Sequence, residues 1–263
     1  MPSAEQFIDS LSFQPDDFQK DAMETISNGE SVVVCAPTGS GKTLIAEFAV
    51  YRALKLGKKV FYTTPLKALS NQKFYDFKQT YGEQQVGLLT GDTSINRDAP
   101  ILVMTTEIFR NMLYGLSEDA RLLGDVGFVV LDECHYMNDA QRGTVWEESI
   151  IYCPNDIQVI ALSATIANAQ ELTDWINDVH PTTRLIHSDF RPVPLRFFYY
   201  NRKELMPLFE GGGKKSKKKG HSDDHDGKPQ LNKRLTNEVK GNRLSKKDRQ
   251  LDTNRLIQAL HEK

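Results

Sequence analysis

Short runs of consecutive apolar residues recur along the first two thirds of the chain. The runs cover residues 32–35, Val60–Tyr62, Val86–Leu89, Ile101–Met104, Phe128–Leu131 and Val159–Leu162. Uninterrupted apolar runs of this length are typical of strands that are buried on both faces, as in a parallel sheet. Because helical segments separate most of them, the pattern predicts an α/β fold with a mostly parallel sheet covered by helices on both faces.

Between these runs, apolar residues follow the 3.6-residue period of helices. One helix is expected to carry Pro15 in its first turn, and two more are predicted at Leu66–Tyr81 and Thr106–Tyr114, each followed by a glycine. Asn168, with Glu171 three residues later, predicts a capping box at the start of a further helix.

Composition narrows the class of protein. The 263 residues are 39% hydrophobic, which suits a globular core, and no run approaches the ~18 apolar residues of a membrane span. The N-terminus lacks the basic and then apolar pattern of a secretion signal. The three cysteines, Cys35, Cys134 and Cys153, lie far apart in apolar segments, which predicts reduced core residues in a cytosol-like compartment.

Charge is distributed unevenly along the chain. Residues 1–200 carry 16 Lys and Arg against 26 Asp and Glu, a net charge of −10, whereas residues 201–263 carry a net charge of +8. We therefore predict one domain over 1–200 and a low-complexity, disordered basic linker over 201–250. This linker either binds nucleic acid non-specifically or serves only as a solvated connection, the interpretation that its interspersed aspartates favour.

The first apolar run leads directly into the segment APTGSGKT and then into a helical pattern. This strand, loop and helix order is that of a phosphate-binding loop with the pattern GxxxxGK[ST], although Ala36 takes the first glycine position. A Gly-rich turn with a chance lysine is the simpler alternative. The residues predicted to bind ATP in this loop are Ala36, Pro37, Thr38, Gly39, Ser40, Gly41, Lys42 and Thr43.

Two acidic residues that follow another strand complete the predicted nucleotide chemistry. Asp132 is placed to hold Mg²⁺ together with the Thr43 hydroxyl, and Glu133 to act on an attacking water as a catalytic base. Lys42 is the third predicted catalytic residue, because its ammonium would reach the β- and γ-phosphates. His135 is either a metal ligand or, as its isolation from other ligands favours, a coupling or packing residue.

Gln19 lies on the helix before the phosphate-binding loop. Its amide combines a donor and an acceptor, as recognition of the adenine N6/N7 edge requires. A solvated helix residue is the alternative interpretation.

The chain resembles the first motor domain of superfamily 2 DExH-box helicases, and most closely the superkiller-type RNA helicases with their cyanobacterial and chloroplast members. The resemblance covers about residues 11–200 and rests on APTGSGKT, TTPLKALSNQK, GLLTGD, MTTEIFRNMLY, DECH and ALSATI, in that order. It implies a RecA-like P-loop domain that hydrolyses ATP with Mg²⁺ and unwinds RNA, in the cytoplasm or an organelle stroma. The segment Phe190–Tyr200 resembles the strand that ends this domain.

The resemblance also assigns residues outside the nucleotide loop. It implies that Gln19 reads adenine and that His135, Ser163 and Thr165 couple the nucleotide state to movement. Contacts with single-stranded or partly duplex RNA would come from Thr64, Pro65, Lys67, Gly91, Thr105 and Thr106.

In this family a second RecA-like domain supplies arginine fingers, and no QxxGRxGR-type motif occurs in the sequence. We therefore expect an N-terminal fragment in which residues 251–263 form the helix that leads into the second domain, and which binds ATP but hydrolyses it slowly. Two rival functions stay open at this point. One is a DNA helicase of the same superfamily, and the other is a nucleic-acid-binding module that uses ATP only as a switch.

Overall fold

The computed structural model describes residues 2–115, 118–139, 143–180, 182–193, 195–200, 205–210 and 230–231. Its helices are α1 (Ala4–Ile8), α2 (Asp17–Ser27), α3 (Thr43–Lys55), α4 (Lys67–Tyr81), α5 (Thr106–Leu113), α6 (Gly143–Ile151) and α7 (Ala169–Val179). Its first eight strands are β1 (Ser31–Cys35), β2 (Lys59–Thr64), β3 (Val86–Thr90), β4 (Thr93–Ile95), β5 (Ile101–Thr105), β6 (Val126–Leu131), β7 (Gln158–Ser163) and β8 (Thr183–His187).

These eight strands form one sheet in the order β4-β3-β5-β2-β6-β7-β1-β8. All neighbouring pairs are parallel except β3 with β4, which form an antiparallel hairpin at one edge. The six apolar runs are the six central strands, so the predicted mostly parallel sheet is confirmed. Because parallel strands end at the same edge, the segments that follow β1, β2, β3, β5, β6 and β7 all lie along that edge.

Alternate residues of each strand enter two separate cores. On β1, Val32 and Val34 pack in the core that α2, α3 and α4 cover, whereas Val33 and Cys35 pack in the core that α5, α6 and α7 cover. Successive strand side chains point to opposite faces, which is why a strand buried on both faces needs an uninterrupted apolar run.

The structure corrects two of the predicted helix starts. Pro15 is not in the first turn of a helix, because α2 begins at Asp17 and Asp16 is its cap residue. Asn168 does precede α7, but its side chain makes no capping hydrogen bond, so the predicted capping box with Glu171 is wrong. A backbone φ of −110° and ψ of 34° places Asn168 outside the extended conformation from which cap side chains normally reach the helix.

The chain divides into two compact units, Met1–Pro192 and Val193–Lys263. In the second unit, β9 (Phe198–Tyr200) pairs with β10 (Leu205–Pro207), and β11 (Phe209–Glu210) pairs with β12 (Gln230–Leu231), both antiparallel. Among the described residues of the expected strand Phe190–Tyr200, the last three form a strand, and short strands occur within the predicted linker. The rest of that linker and the predicted helix at 251–263 lie outside the described residues.

Among the described residues, no helix is long and apolar enough to cross a membrane. The three cysteines are buried and free, in agreement with their prediction as reduced core residues.

Candidate nucleotide and nucleic-acid site

The loop between β1 and α3 has the backbone geometry of an anion cradle. Gly39 and Gly41 both have a φ of +82°, a region that favours glycine because it lacks a Cβ. The loop leads straight into α3, whose first residue is Thr43, so backbone N–H groups and the helix N-terminus face the same point. A Cβ on Gly41 would also lie only 2.7 Å from Gln19 Nε2.

Lys42 lies at the centre of this loop. Its Nζ donates to the carbonyl oxygens of Ala36 and Pro37 at 2.8 and 3.0 Å. Burial lowers the pKa of Lys42, and the nearby carboxylates of Glu133 and Asp132 oppose that shift. Strands β1, β7 and β6 are parallel neighbours that end at the same edge of the sheet, so the segments that carry Lys42, Asp132 and Glu133 lie along that edge.

Asp132, directly after β6, is held by two hydrogen bonds. Tyr62 on β2 donates its hydroxyl to Oδ2 at 2.5 Å, and the backbone N–H of Glu133 donates to Oδ1 at 2.9 Å. Burial raises the pKa of Tyr62 well above its ordinary value, and the Asp132 carboxylate raises it further, so the phenol stays a donor. The carboxylate orientation is therefore fixed in advance.

The oxygen atoms at this site fit a magnesium ion bound to a nucleotide. Mg²⁺ prefers hard oxygen ligands and commonly takes one or two from the protein and the others from phosphates and water. The Thr43 hydroxyl and the oriented Asp132 carboxylate match that requirement. Ser40 Oγ is buried in the same loop and has no hydrogen-bond partner among the described residues, as expected of a loop shaped for a polar ligand.

Glu133 has a strained backbone. Its φ of 55° and ψ of 41° lie in the left-handed region, which is uncommon for a residue with a side chain and costs about 1–3 kcal/mol. The strain turns the chain sharply after Asp132, and the side chain of Glu133 stays partly exposed.

His135 links Glu133 to the loop after β7. The backbone N–H of Ala164, between Ser163 and Thr165, donates to His135 Nδ1 at 3.3 Å, and the same nitrogen lies 3.3 Å from Glu133 Oε2. One nitrogen cannot serve both contacts at once, because it accepts from Ala164 only when unprotonated and donates to Glu133 only when protonated. The contact supplies a physical basis for the predicted coupling.

The two predicted coupling residues beside Ala164 differ in their surroundings. Ser163 is buried and donates its hydroxyl to the carbonyl of Ala164 at 2.9 Å, whereas Thr165 is exposed. Only the first of them is therefore part of the hydrogen-bonded turn that His135 contacts.

Gln19 is buried, and both ends of its side-chain amide hydrogen bond within the protein. Oε1 accepts from the backbone N–H of Asp16 at 2.8 Å, and Nε2 donates to the carbonyl of Gly41 at 2.9 Å. The alternative of a solvated helix residue is therefore wrong. Gln19 joins the start of α2 to the phosphate-binding loop, and its contact with adenine stays a prediction.

The structure divides the six predicted nucleic-acid residues into two groups. Lys67 and Gly91 are exposed, whereas Thr64, Pro65, Thr105 and Thr106 are buried. The hydroxyl of Thr64 donates to the carbonyl of Leu66 at 3.0 Å and lies 2.7 Å from Ser70 Oγ, and that of Thr106 donates to the carbonyl of Thr64 at 3.1 Å. Both hydroxyls hydrogen bond inside the protein, and contact of Thr64 and Thr106 with nucleic acid stays a prediction.

The strand order places the two kinds of residue in separate halves of the edge. The ends of β3, β5 and β2 carry the nucleic-acid candidates, and the ends of β6, β7 and β1 carry the nucleotide candidates. In the first half, Lys67 forms an exposed ion pair with Asp92, which also accepts from Thr90 at 3.0 Å.

Sequence reasoning missed three residues that contact this site. Tyr62 orients Asp132, Arg191 donates to the carbonyl of Thr38 at 3.0 Å, and Lys73 donates to the hydroxyl of Thr43 at 3.4 Å. Lys73 ends the segment TTPLKALSNQK and Arg191 lies in the segment Phe190–Tyr200, but their contacts, like that of Tyr62, depend on how distant parts of the chain pack.

The sequence profile of the DEAD/DEAH box helicase family matches residues 16–172. The chain is 51% identical over 216 residues to the DExH-box ATP-dependent RNA helicase DExH15, chloroplastic, of Arabidopsis thaliana, with 81% of this chain and 18% of that protein covered. It is 48% identical over 200 residues to the antiviral helicase SKI2 of Saccharomyces cerevisiae, with 76% and 15% covered. The chain thus spans less than a fifth of the length of either relative.

A solved structure has a similar fold. The Mycobacterium smegmatis helicase Lhr bound to single-stranded DNA and AMP-PNP superposes with a TM-score of 0.58 and 27% identity, over 71% of this chain and 28% of that chain. The likeness confirms that the parallel sheet is a helicase RecA-like domain.

Proposed function

The chain belongs to the DEAD/DEAH box helicase family, and from that premise we propose that it is the ATP-binding motor domain of an ATP-dependent RNA helicase. The position of Lys42, Asp132 and Glu133 after parallel strands that end at one sheet edge carries this proposal, because hydrolysis of a triphosphate needs an ammonium that binds phosphate, a carboxylate that binds the metal and a base. When bound, Mg²⁺ would neutralise part of the negative charge of the phosphates.

Each residue has a definite task in this proposal. The amides of the loop from Gly39 to Thr43 surround the phosphates, and the Lys42 ammonium leaves its two carbonyl partners to bind phosphate oxygens. Asp132 and Thr43 hold the metal. Glu133 orients the attacking water and accepts its proton. His135 and Ser163 transmit the change in nucleotide state to the loop after β7.

Calorimetry tests this proposal through Lys42→Ala. The chain should bind Mg·ATP, and the variant should bind it about 10–150-fold more weakly, because one charged hydrogen bond to phosphate is worth about 1.5–3 kcal/mol. Lys20→Ala is the control, since the Lys20 side chain on α2 is 41% exposed and forms an ion pair with Asp17. An absence of binding by the parent, or identical titrations of parent and Lys42→Ala, would refute the proposal.

RNA is the proposed nucleic acid, with support from the name of the relative DExH15 and from the exposed Lys67 and Gly91 at the other half of the edge. A DNA substrate is the second candidate, since the structural neighbour Lhr was solved with single-stranded DNA. The domain is acidic, so we expect weak binding that is lost readily as salt rises.

Competition between matched single strands of RNA and DNA separates these two candidates. RNA should displace a labelled RNA strand at a lower concentration than DNA does, because contacts with the 2′-hydroxyl distinguish the two. A fluorescence anisotropy titration at low salt measures this difference. Equal displacement would remove the preference for RNA.

The complete activity is proposed for a protein that also carries a second RecA-like domain, as the greater length of the relatives supports. Without arginine fingers, which are worth about 10³–10⁵ in turnover, this domain should hydrolyse ATP slowly. Three buried, free cysteines support a reducing compartment, either cytoplasm or an organelle stroma.

A further inference from the structure

Lys73 brings a second ammonium to the predicted magnesium site. It lies on α4, six residues after Lys67, and its Nζ donates to Thr43 Oγ1 at 3.4 Å. Thr43 is the hydroxyl that the proposed function assigns to Mg²⁺. Lys73 is outside the phosphate-binding loop and the DECH segment, and none of the assignments above uses it.

The Lys73 ammonium has other groups near it besides the Thr43 hydroxyl. Its Nζ lies 5.8 Å from the centroid of the Tyr62 ring, a cation–π distance. Lys73 also interacts electrostatically with Glu47, which lies one helical turn after Thr43 on α3. Burial raises the pKa of Glu47, and the Lys73 charge lowers it. The ammonium therefore has an aromatic face and a carboxylate available besides Thr43.

We propose that Lys73 sets the magnesium affinity of this site, because its ammonium and the metal interact with the same Thr43 oxygen. Mg²⁺ held by the Thr43 oxygen would face the Lys73 ammonium across one hydroxyl, so the two cations would repel each other. Lys73 consequently withdraws towards Glu47 and the Tyr62 ring when the metal binds. It is a positioning residue, and this inference rests on the proposed function.

Because Lys73 is on α4, a movement in the nucleic-acid half of the edge can reach the predicted magnesium site through this helix. Lys67 is the first residue of the same helix, and Phe74 and Phe77 anchor that helix in the core. Because an α-helix moves as a rigid rod over such short lengths, a shift of α4 at Lys67 also changes the distance between Lys73 and Thr43.

Lys73→Met tests this inference, since methionine keeps the apolar stem and removes the charge. The test measures binding of a fluorescent ATP analogue at increasing Mg²⁺ concentration and, separately, in EDTA. In the variant, the Mg²⁺ concentration at half-saturation should fall roughly fivefold, the size of one partly exposed charged contact, while binding in EDTA stays unchanged. Mn²⁺ alone, followed by the loss of its free EPR signal, should also bind more tightly.

The same helix offers a matched control in Lys78. Lys78 Nζ lies 5.3 Å from the centroid of the Phe74 ring and 2.7 Å from Glu83 Oε1. Lys78 therefore has the same kinds of contact as Lys73, but away from Thr43. Lys78→Met should leave the Mg²⁺ titration unchanged. Thermal unfolding of both variants verifies that each is folded.

Three results would overturn the inference. Weaker binding of Lys73→Met both with Mg²⁺ and in EDTA would make Lys73 a phosphate ligand instead. An unchanged Mg²⁺ titration, or one that Lys78→Met shifts equally, would leave Lys73 a merely structural role. If the parent binds no nucleotide at any Mg²⁺ concentration, the proposed function fails and this inference fails with it.

Discussion

Glu133→Gln should slow ATP hydrolysis by about 10²–10⁴-fold, the usual loss when a positioned base is removed. The amide keeps the size of the side chain but cannot accept the proton of the attacking water. Nucleotide binding should be unchanged, because the loop from Gly39 to Thr43 and the Asp132 carboxylate are intact. Single-turnover assays with the chain in excess over radiolabelled ATP measure the rate even if the parent is slow.

Glu24→Gln is the control for this prediction, since Glu24 is an exposed carboxylate on α2. It should hydrolyse ATP at the parental rate. If Glu133→Gln also does so, Glu133 has no role as a base, and the rival interpretation of a module that uses ATP only as a switch gains support.

Trp146→Ala should destabilise the chain by about 3–5 kcal/mol, the range for removing a buried tryptophan. Trp146 on α6 is fully buried in the core under α5, α6 and α7, and its ring stacks on Tyr136 with the centroids 6.2 Å apart. Tyr136 belongs to the 3₁₀ turn Cys134–Asn138 that follows Glu133. Thermal unfolding should show a decrease in Tm of roughly 6–20 °C, at about 2–4 °C per kcal/mol for a domain of this size.

Tyr152→Ala is the matched control for Trp146→Ala. Tyr152 is an aromatic residue just after α6, 52% exposed, with its ring against that of Tyr114. Its loss should change the free energy of unfolding by less than about 1 kcal/mol. Equal destabilisation by both substitutions would contradict the assignment of Trp146 to the centre of this core.

The central strands could be predicted because burial on both faces requires an uninterrupted run of apolar residues. Val32, Val33 and Val34 belong to two different cores, and only an uninterrupted apolar run satisfies both. Strands β4 and β8 contain no such run. Both lie at sheet edges and contain exposed or half-buried residues, so their sequences resemble loops.

The nucleotide half of the site was predictable for a different reason. Its residues follow a strand directly, so their position is set by local sequence: Lys42 within the loop after β1, Asp132 after β6. Tyr62 and Lys73 were not predictable, because their contacts depend on β2 lying beside β6 and on α4 packing beside α3. Thr64 shows the converse, since it follows an apolar run in the sequence but is the last residue of β2 in the structure, where its hydroxyl donates to Leu66 and lies against Ser70.

Strand β2 borders both halves of the edge, and its residues contact each half. Tyr62 holds Asp132, whereas Thr64, two positions on and on the same face, contacts Ser70 of α4. Two residues of an extended strand span only about 7 Å. Under the proposed function, a displacement of the Asp132 carboxylate would need no hinge within this domain to reach α4, because Tyr62 and Thr64 belong to the same short strand.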